Sequence, residues 1–116
     1  MAYGYGFTVT PLQLAAAYVT LAGHGNRLPL SILKQDRAPV PERVFDADHA
    51  REVVSMMERV TQRGGTATYA GIDDYRVAGK TGTARVLGQD GYDDERHVAW
   101  FAGLVPASDP RIVMVV

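Results

Sequence analysis

The chain has 116 residues, room for one compact domain, and its 12 basic and 13 acidic residues leave a net charge of −1. So even a balance offers no electrostatic footprint for nucleic acid or an anionic membrane surface. An apolar content of 47% is that of a globular protein, no apolar run approaches the roughly 20 residues of a bilayer span, and the absence of cysteine excludes disulfides, thiolate metal sites and a Cys nucleophile.

Residues 1–9 read as loop with a short extended piece, in which Gly4 and Gly6 separate Tyr3, Tyr5 and Phe7 and nothing has the form of a signal peptide. The first helix signal follows. Thr10 suits an N-cap, Pro11 the first helical position, and Gln13 completes a T-x-x-Q capping box. Leu14, Ala17, Tyr18 and Leu21 recur at helical spacing, and Gly23 and Gly25 end the helix near Ala22. Between Asn26 and Phe45, Pro29, Pro39 and Pro41 exclude a continuous helix, leaving Leu28, Leu30, Ile32 and Leu33 as a short strand or packed loop. A second helix is predicted from Asp46 or Asp48. Ala50, Val53, Val54, Met57 and Val60 share one face, and Gln62-Arg63-Gly64-Gly65 is the stop signal.

The remainder reads as strand: Tyr75 to about Val86, then a polar hairpin loop from Gln89 to Glu95, then the apolar run His97 to Val105. Pro106 to Pro110 is a turn, and Arg111 to Val116 is a third strand. The expected fold class is α+β, with about three meander-like antiparallel strands and two main helices. A domain of this length buries roughly two-thirds of its unfolded surface. A last residue inside an apolar β-branched run, and a start on aromatics between glycines, suggest a piece of a larger domain. Missing partner strands would leave open edges, so self-association is expected.

The segment that carries chemistry is Lys80-Thr81-Gly82-Thr83, preceded by Val77-Ala78-Gly79. A phosphate-binding loop would need Gly where Asp74 stands and a helix where the sequence continues as strand, so that reading fails. The other reading is the Lys-Thr-Gly element of penicillin-reactive serine enzymes. There a lysine supplies charge, threonine hydroxyls bind a carboxylate, glycine clears the edge for substrate backbone, and an edge N–H steadies an oxyanion. In a regular strand Lys80 and Thr81 point to opposite faces, so such a site must lie along the edge or the strand must twist.

Three segments, Tyr75-Arg-Val-Ala-Gly-Lys-Thr-Gly-Thr-Ala-Arg85, His97-Val-Ala-Trp-Phe-Ala-Gly-Leu-Val-Pro-Ala107 and Gly4-Tyr-Gly-Phe-Thr-Val-Thr-Pro-Leu-Gln13, resemble the class B penicillin-binding proteins, especially the septal D,D-transpeptidases of bacterial division. The resemblance runs over essentially the whole chain, so residues 1–116 would be the later part of a transpeptidase domain. It implies a penicilloyl-serine transferase fold, with no cofactor, that cross-links peptidoglycan stem peptides ending in D-Ala-D-Ala and is inhibited by β-lactams. The parent would be anchored in the cytoplasmic membrane with this domain in the periplasm or outside, beside membrane proteins of the division complex. It assigns Lys80 as the motif lysine, Thr81 and Thr83 to the carboxylate, the Thr83 backbone N–H to the oxyanion hole, Gly82 to the open edge, and Arg85 to a secondary anion contact.

Two motifs of that family are missing. Ser31-Ile-Leu-Lys34 spells S-x-x-K but sits among prolines rather than on a helix, and in the wrong order relative to Gly-Tyr-Gly, so it is read as coincidence. No Ser-x-Asn exists, since Asn26 is the only asparagine. The chain alone is therefore expected to be inactive, without nucleophile. A serine β-lactamase, a D-alanyl carboxypeptidase and a non-enzymatic interaction module with a solvated Lys80 stay open as alternatives. His24, His49 and His97 share no metal-ligand spacing. Asp73-Asp74 and Asp93-Asp94-Glu95 read as solvated turns, Tyr92 as a possible rim of an active-site mouth, Trp100 as a core or helix-facing residue, and Met56-Met57 as helix packing.

Overall fold

The computed structural model describes residues 8–88 and 91–116, so the Gly4 to Phe7 aromatics and the Gln89-Asp90 turn lie outside the described residues. Helix α1 spans Pro11–Ala22. Its cap is the expected box: the Thr10 hydroxyl accepts from the Gln13 N–H at 3.2 Å, and the Thr10 N–H donates to Gln13 Oε1 at 2.8 Å. The helix unwinds through His24 and Gly25, both left-handed at φ 52° and 84°. Gly25 is required there, because a Cβ would fall 2.2 Å from the Phe45 carbonyl oxygen. Tyr18, Leu21 and Ala22 pack on the core, whereas Ala17, predicted on the same face, is exposed.

Strands β1 (Asn26–Arg27) and β2 (Glu42–Arg43) form a two-residue antiparallel pair that closes an irregular loop. The strand or packed loop predicted around Leu28–Leu33 does not form. Ile32 is 98% and Leu33 73% exposed, because none of the described elements covers them. Helix α2 (Ala47–Met57) is capped by Asp46, whose carboxylate accepts from the Asp48 and His49 N–H groups. Those bonds hold the Asp46 carboxyl below its usual range. Ala50 and Val54 are buried, while Val53 and Met56 are not. The α-helix stops at Met57, short of the predicted Gln62. Glu58–Val60 tightens into a 3-10 turn, where Glu58 is taken by Arg76 at 2.6 Å and the Thr61 hydroxyl donates to the Val77 carbonyl at 3.0 Å.

The main sheet is a meander of β3 (Ala78–Gly88), β4 (Gly91–Val105) and β5 (Ile112–Val115), in the order β3-β4-β5. Two boundaries differ from expectation: β3 begins at Ala78 rather than Tyr75, and β4 begins at Gly91 rather than His97. Gly91 to Glu95 is strand rather than loop, paired through Leu87↔Tyr92 and Gly88↔Gly91. The ladder is irregular between Arg85 and Leu87, where Asp93 accepts from the Glu95 and Arg96 N–H groups and binds the Arg96 guanidinium at 2.6 Å. Arg96 and these N–H groups pull the Asp93 carboxyl below its usual range. Asp73-Asp74 is a turn, with Asp74 at φ 67°; the Asp94 side chain lies outside the description.

Register defines two faces. Ala78, Leu104 and Val113 stand in one row and form the core with Val54 and Ala107 against α1 and α2. The next rows on that face are Lys80–Ala102–Val115 and then Gly82–Trp100. On the opposite face Phe101 lies across Gly79 and Gly103, neither of which has room for a Cβ.

Candidate active site

The core face does not close along its whole length. The C-terminal half of α1 packs on the Ala78–Leu104 row, but Pro11, Leu14 and Tyr18 face Lys80, Gly82, Trp100 and Ala102 across a groove of about 560 Å³. Burial raises the Tyr18 phenol above its ordinary value. Trp100 is a helix-facing wall of this groove, as its position in the strand predicts. Tyr92 does not reach it, because it pairs with Leu87 beyond the irregularity in the ribbon.

Ladder phase determines what the β3 edge presents. Phe101 exchanges both backbone bonds with Val116, N–H to carbonyl at 2.8 Å and carbonyl from N–H at 3.0 Å. Its backbone polar groups therefore point toward β5, and those of Trp100, Ala102 and Leu104 point toward β3. Thr81, opposite Phe101, is consequently not bonded to β4. Its N–H and C=O point to the outer edge of β3, and so do those of Thr83 two residues on. No described strand pairs with that edge.

The opposed directions of Lys80 and Thr81 resolve at the same edge. The Lys80 stem leaves from the groove face, and its ammonium bends round to donate to the Thr81 carbonyl at 2.6 Å. The Thr81 hydroxyl, on the other side, lies 2.9 Å from the Thr66 hydroxyl. Lys80, Thr81, Gly82 and Arg85 all line the groove, whereas the Thr83 side chain is exposed and does not. Gly82 is open: a Cβ would meet nothing nearer than Trp100 Cβ at 3.9 Å. Sequence reading missed Thr66, which only the fold brings to Thr81 across fifteen residues. Of the α1 residues at helical spacing, Tyr18 both packs on the core and lines the groove, and Leu14 lines the groove.

Ser31 is remote in kind from this site. Its hydroxyl donates to the Leu33 carbonyl and accepts from the Leu33 N–H and the Gln35 amide, all within an exposed turn. It stands on no helix with Lys34 above it. Among the described residues no cluster of His, Asp and Glu could hold a metal. Chemically, the edge offers a cation, a hydroxyl and outward N–H groups beside an open groove. That set has the chemistry to bind a carboxylate and to take an extended peptide alongside the strand. It contains no activated nucleophile.

Residues 1–116 match the penicillin binding protein transpeptidase domain family over their whole length. The chain is 50% identical over 115 residues to the peptidoglycan D,D-transpeptidase FtsI of Escherichia coli K12, covering 98% of this chain and 19% of that protein. It superposes on the apo transpeptidase domain of Burkholderia pseudomallei penicillin-binding protein 3 with a TM-score of 0.91 and 42% identity, over 99% of this chain and 35% of that one. Penicillin-binding protein 3 of Mycobacterium tuberculosis, solved with ampicillin, gives 0.87 and 32%, over 97% of this chain and 29% of that one. The chain thus spans about a fifth of the length of its curated relative.

Proposed function

The chain belongs to the penicillin-binding protein transpeptidase domain family, and on that footing we propose that it forms the Lys-Thr-Gly wall of a septal peptidoglycan D,D-transpeptidase. The complete domain would work through a serine supplied by its remaining part. That hydroxyl attacks the penultimate D-Ala carbonyl of a stem peptide and expels the terminal D-alanine. The amine of a second stem peptide then resolves the acyl-enzyme and releases the serine. A β-lactam enters the same first step and stays bound as the acyl-enzyme.

In this reading Lys80 supplies positive charge at the edge, Thr81 and Thr83 hold the terminal carboxylate, and Arg85 adds a second anion contact. The outward N–H of Thr83 is half of the oxyanion hole, since it points where substrate backbone would run. Gly82 leaves that approach clear. The observation that carries the reading is the convergence of the Lys80 ammonium, the Thr81 hydroxyl and the outward N–H groups on one unpaired strand edge beside the groove. The family match does not favour a β-lactamase, a carboxypeptidase or a non-enzymatic module.

The setting follows from the same resemblance. The parent would be held in the cytoplasmic membrane with this domain on its outer side, working beside membrane proteins of division. No described helix is long and apolar enough to cross a membrane. The chain alone would be inactive, and the outer edges of β3 and β5 support self-association when the rest of the domain is absent. The test is labelling by a fluorescent penicillin. A complete transpeptidase domain carrying this chain is acylated, Lys80→Met abolishes labelling, and residues 1–116 alone take no label. Stable labelling of Ser31 in the isolated chain would refute the reading.

A further inference from the structure

We propose that Thr66 is a positioning residue for Thr81, orienting its hydroxyl so that the proton is presented to the carboxylate of an incoming substrate. This deepens the functional reading above and rests on it. The two hydroxyl oxygens are 2.9 Å apart, and either can donate. When Thr81 donates to Thr66, the Thr81 proton is spent within the protein. When Thr66 donates to Thr81, the Thr81 proton is free for an anion, and the second bond is strengthened by the first. An arriving carboxylate selects the second arrangement, because a carboxylate only accepts. Thr66 is then the donor that completes the Thr81 hydroxyl.

The segment that brings Thr66 there is held at several points. The Thr61 hydroxyl donates to the Val77 carbonyl at 3.0 Å, the Gly65 N–H to Gln62 at 2.8 Å, and the Ala67 N–H to Val60 at 2.9 Å. Gly64 turns the chain at φ 85°, and Gly65 is pressed so closely on Val60 that a Cβ would sit 2.3 Å from its carbonyl oxygen. Thr81 is thereby fixed from two sides, its hydroxyl by Thr66 and its carbonyl by Lys80.

The experiment compares acylation of a complete transpeptidase domain carrying this chain by benzylpenicillin and by its methyl ester, which lacks the anion. Thr66→Val is expected to slow the free acid about five-fold, the worth of one such hydrogen bond, and the ester by less, since a neutral ester oxygen accepts the weaker bond. Thr66→Ser restores the free-acid rate, and Thr66→Ala stands in for the valine variant should that one not fold. Equal slowing of acid and ester, no slowing at all, or failure of serine to rescue overturns the positioning role while the functional reading stands. An unmodified domain that benzylpenicillin does not acylate refutes the functional reading, and this inference with it.

Discussion

Gly82 and Gly79 sit three residues apart on β3, yet a methyl group at each should have opposite consequences. At Gly79 a Cβ would lie 2.5 Å from Phe101 Cζ, 2.7 Å from Cε2 and 2.9 Å from the Ala102 carbonyl oxygen. The ring edge can swing away, but the carbonyl belongs to the ladder and cannot. Overpacking of this kind costs about 1–3 kcal/mol. At Gly82 the nearest atom is Trp100 Cβ at 3.9 Å, an ordinary contact. The φ there is not left-handed, so Gly82→Ala stiffens the unfolded chain and stabilises by roughly 0.4–1 kcal/mol. The new methyl, however, projects from the groove face between Lys80 and Trp100, where substrate backbone would pass under the proposed function. A misplaced methyl worth about 1–3 kcal/mol against a bound ligand slows acylation by about 5- to 150-fold. Both variants would be made in a complete transpeptidase domain and followed by urea unfolding and penicillin labelling. Gly79→Ala should lower the midpoint, whereas Gly82→Ala should hold or raise it while losing acylation. A Gly82→Ala domain that unfolds early, or one acylated at the normal rate, would refute the assignment of this glycine to the site.

Three further outcomes follow from the packing and the caps. Leu104 is fully buried in the core row, so Leu104→Ala is expected to cost about 2–5 kcal/mol in denaturant unfolding. Thr10→Ala removes the hydroxyl half of the capping box. It should cost about 1 kcal/mol and loosen the α1 wall of the groove, read as faster amide exchange over residues 12–14. Asp46 has a folded pKa lowered by the N–H groups it caps. Its stabilisation is therefore present above the unfolded carboxyl value of about 3.9 and lost as pH falls through the lowered folded value. Asp46→Asn keeps an acceptor at the cap without titrating, so melting curves taken down to strong acid should show the unmodified chain losing more stability than the variant.

Local chemistry made several elements legible before any coordinates. The Thr10-Pro11-Gln13 triplet defines a helix start because its partners are three residues apart, whereas the acidic residues Asp46 and Asp48 mark the start of α2 only to within two residues, and the structure makes Asp46 the cap. The apolar run from His97 to Val105, the polar stretch before it and the Pro106–Pro110 turn predict the meander, since hairpin neighbours pair without help from distant chain. Readings failed where distant partners decided. Apolar spacing that continues to Val60 predicts a second helix to Gln62, but Arg76 and Val77 draw Glu58 and Thr61 into a tighter turn. Leu28 to Leu33 read as packed because they are apolar, and apolarity does not say whether another element exists to cover them. Gly91 to Glu95 read as loop from its polarity, although a two-stranded ribbon standing clear of the core needs no apolar face.

The Lys80-Thr-Gly-Thr83 signature is a property of the sequence: it names a cation, hydroxyls and a bare backbone position on one strand, which is the chemistry that meets a carboxylate. Whether those groups could act together was a matter of tertiary structure. Side chains at Lys80 and Thr81 leave a strand on opposite faces, and they reach a common edge only because the pairing of Phe101 with Val116 sets the ladder phase, turning the Thr81 and Thr83 backbone outward. The stand-off of α1 opens the groove, and Thr66 arrives from fifteen residues away. Those relations are set by register, helix placement and chain return, quantities that no local run of residues encodes.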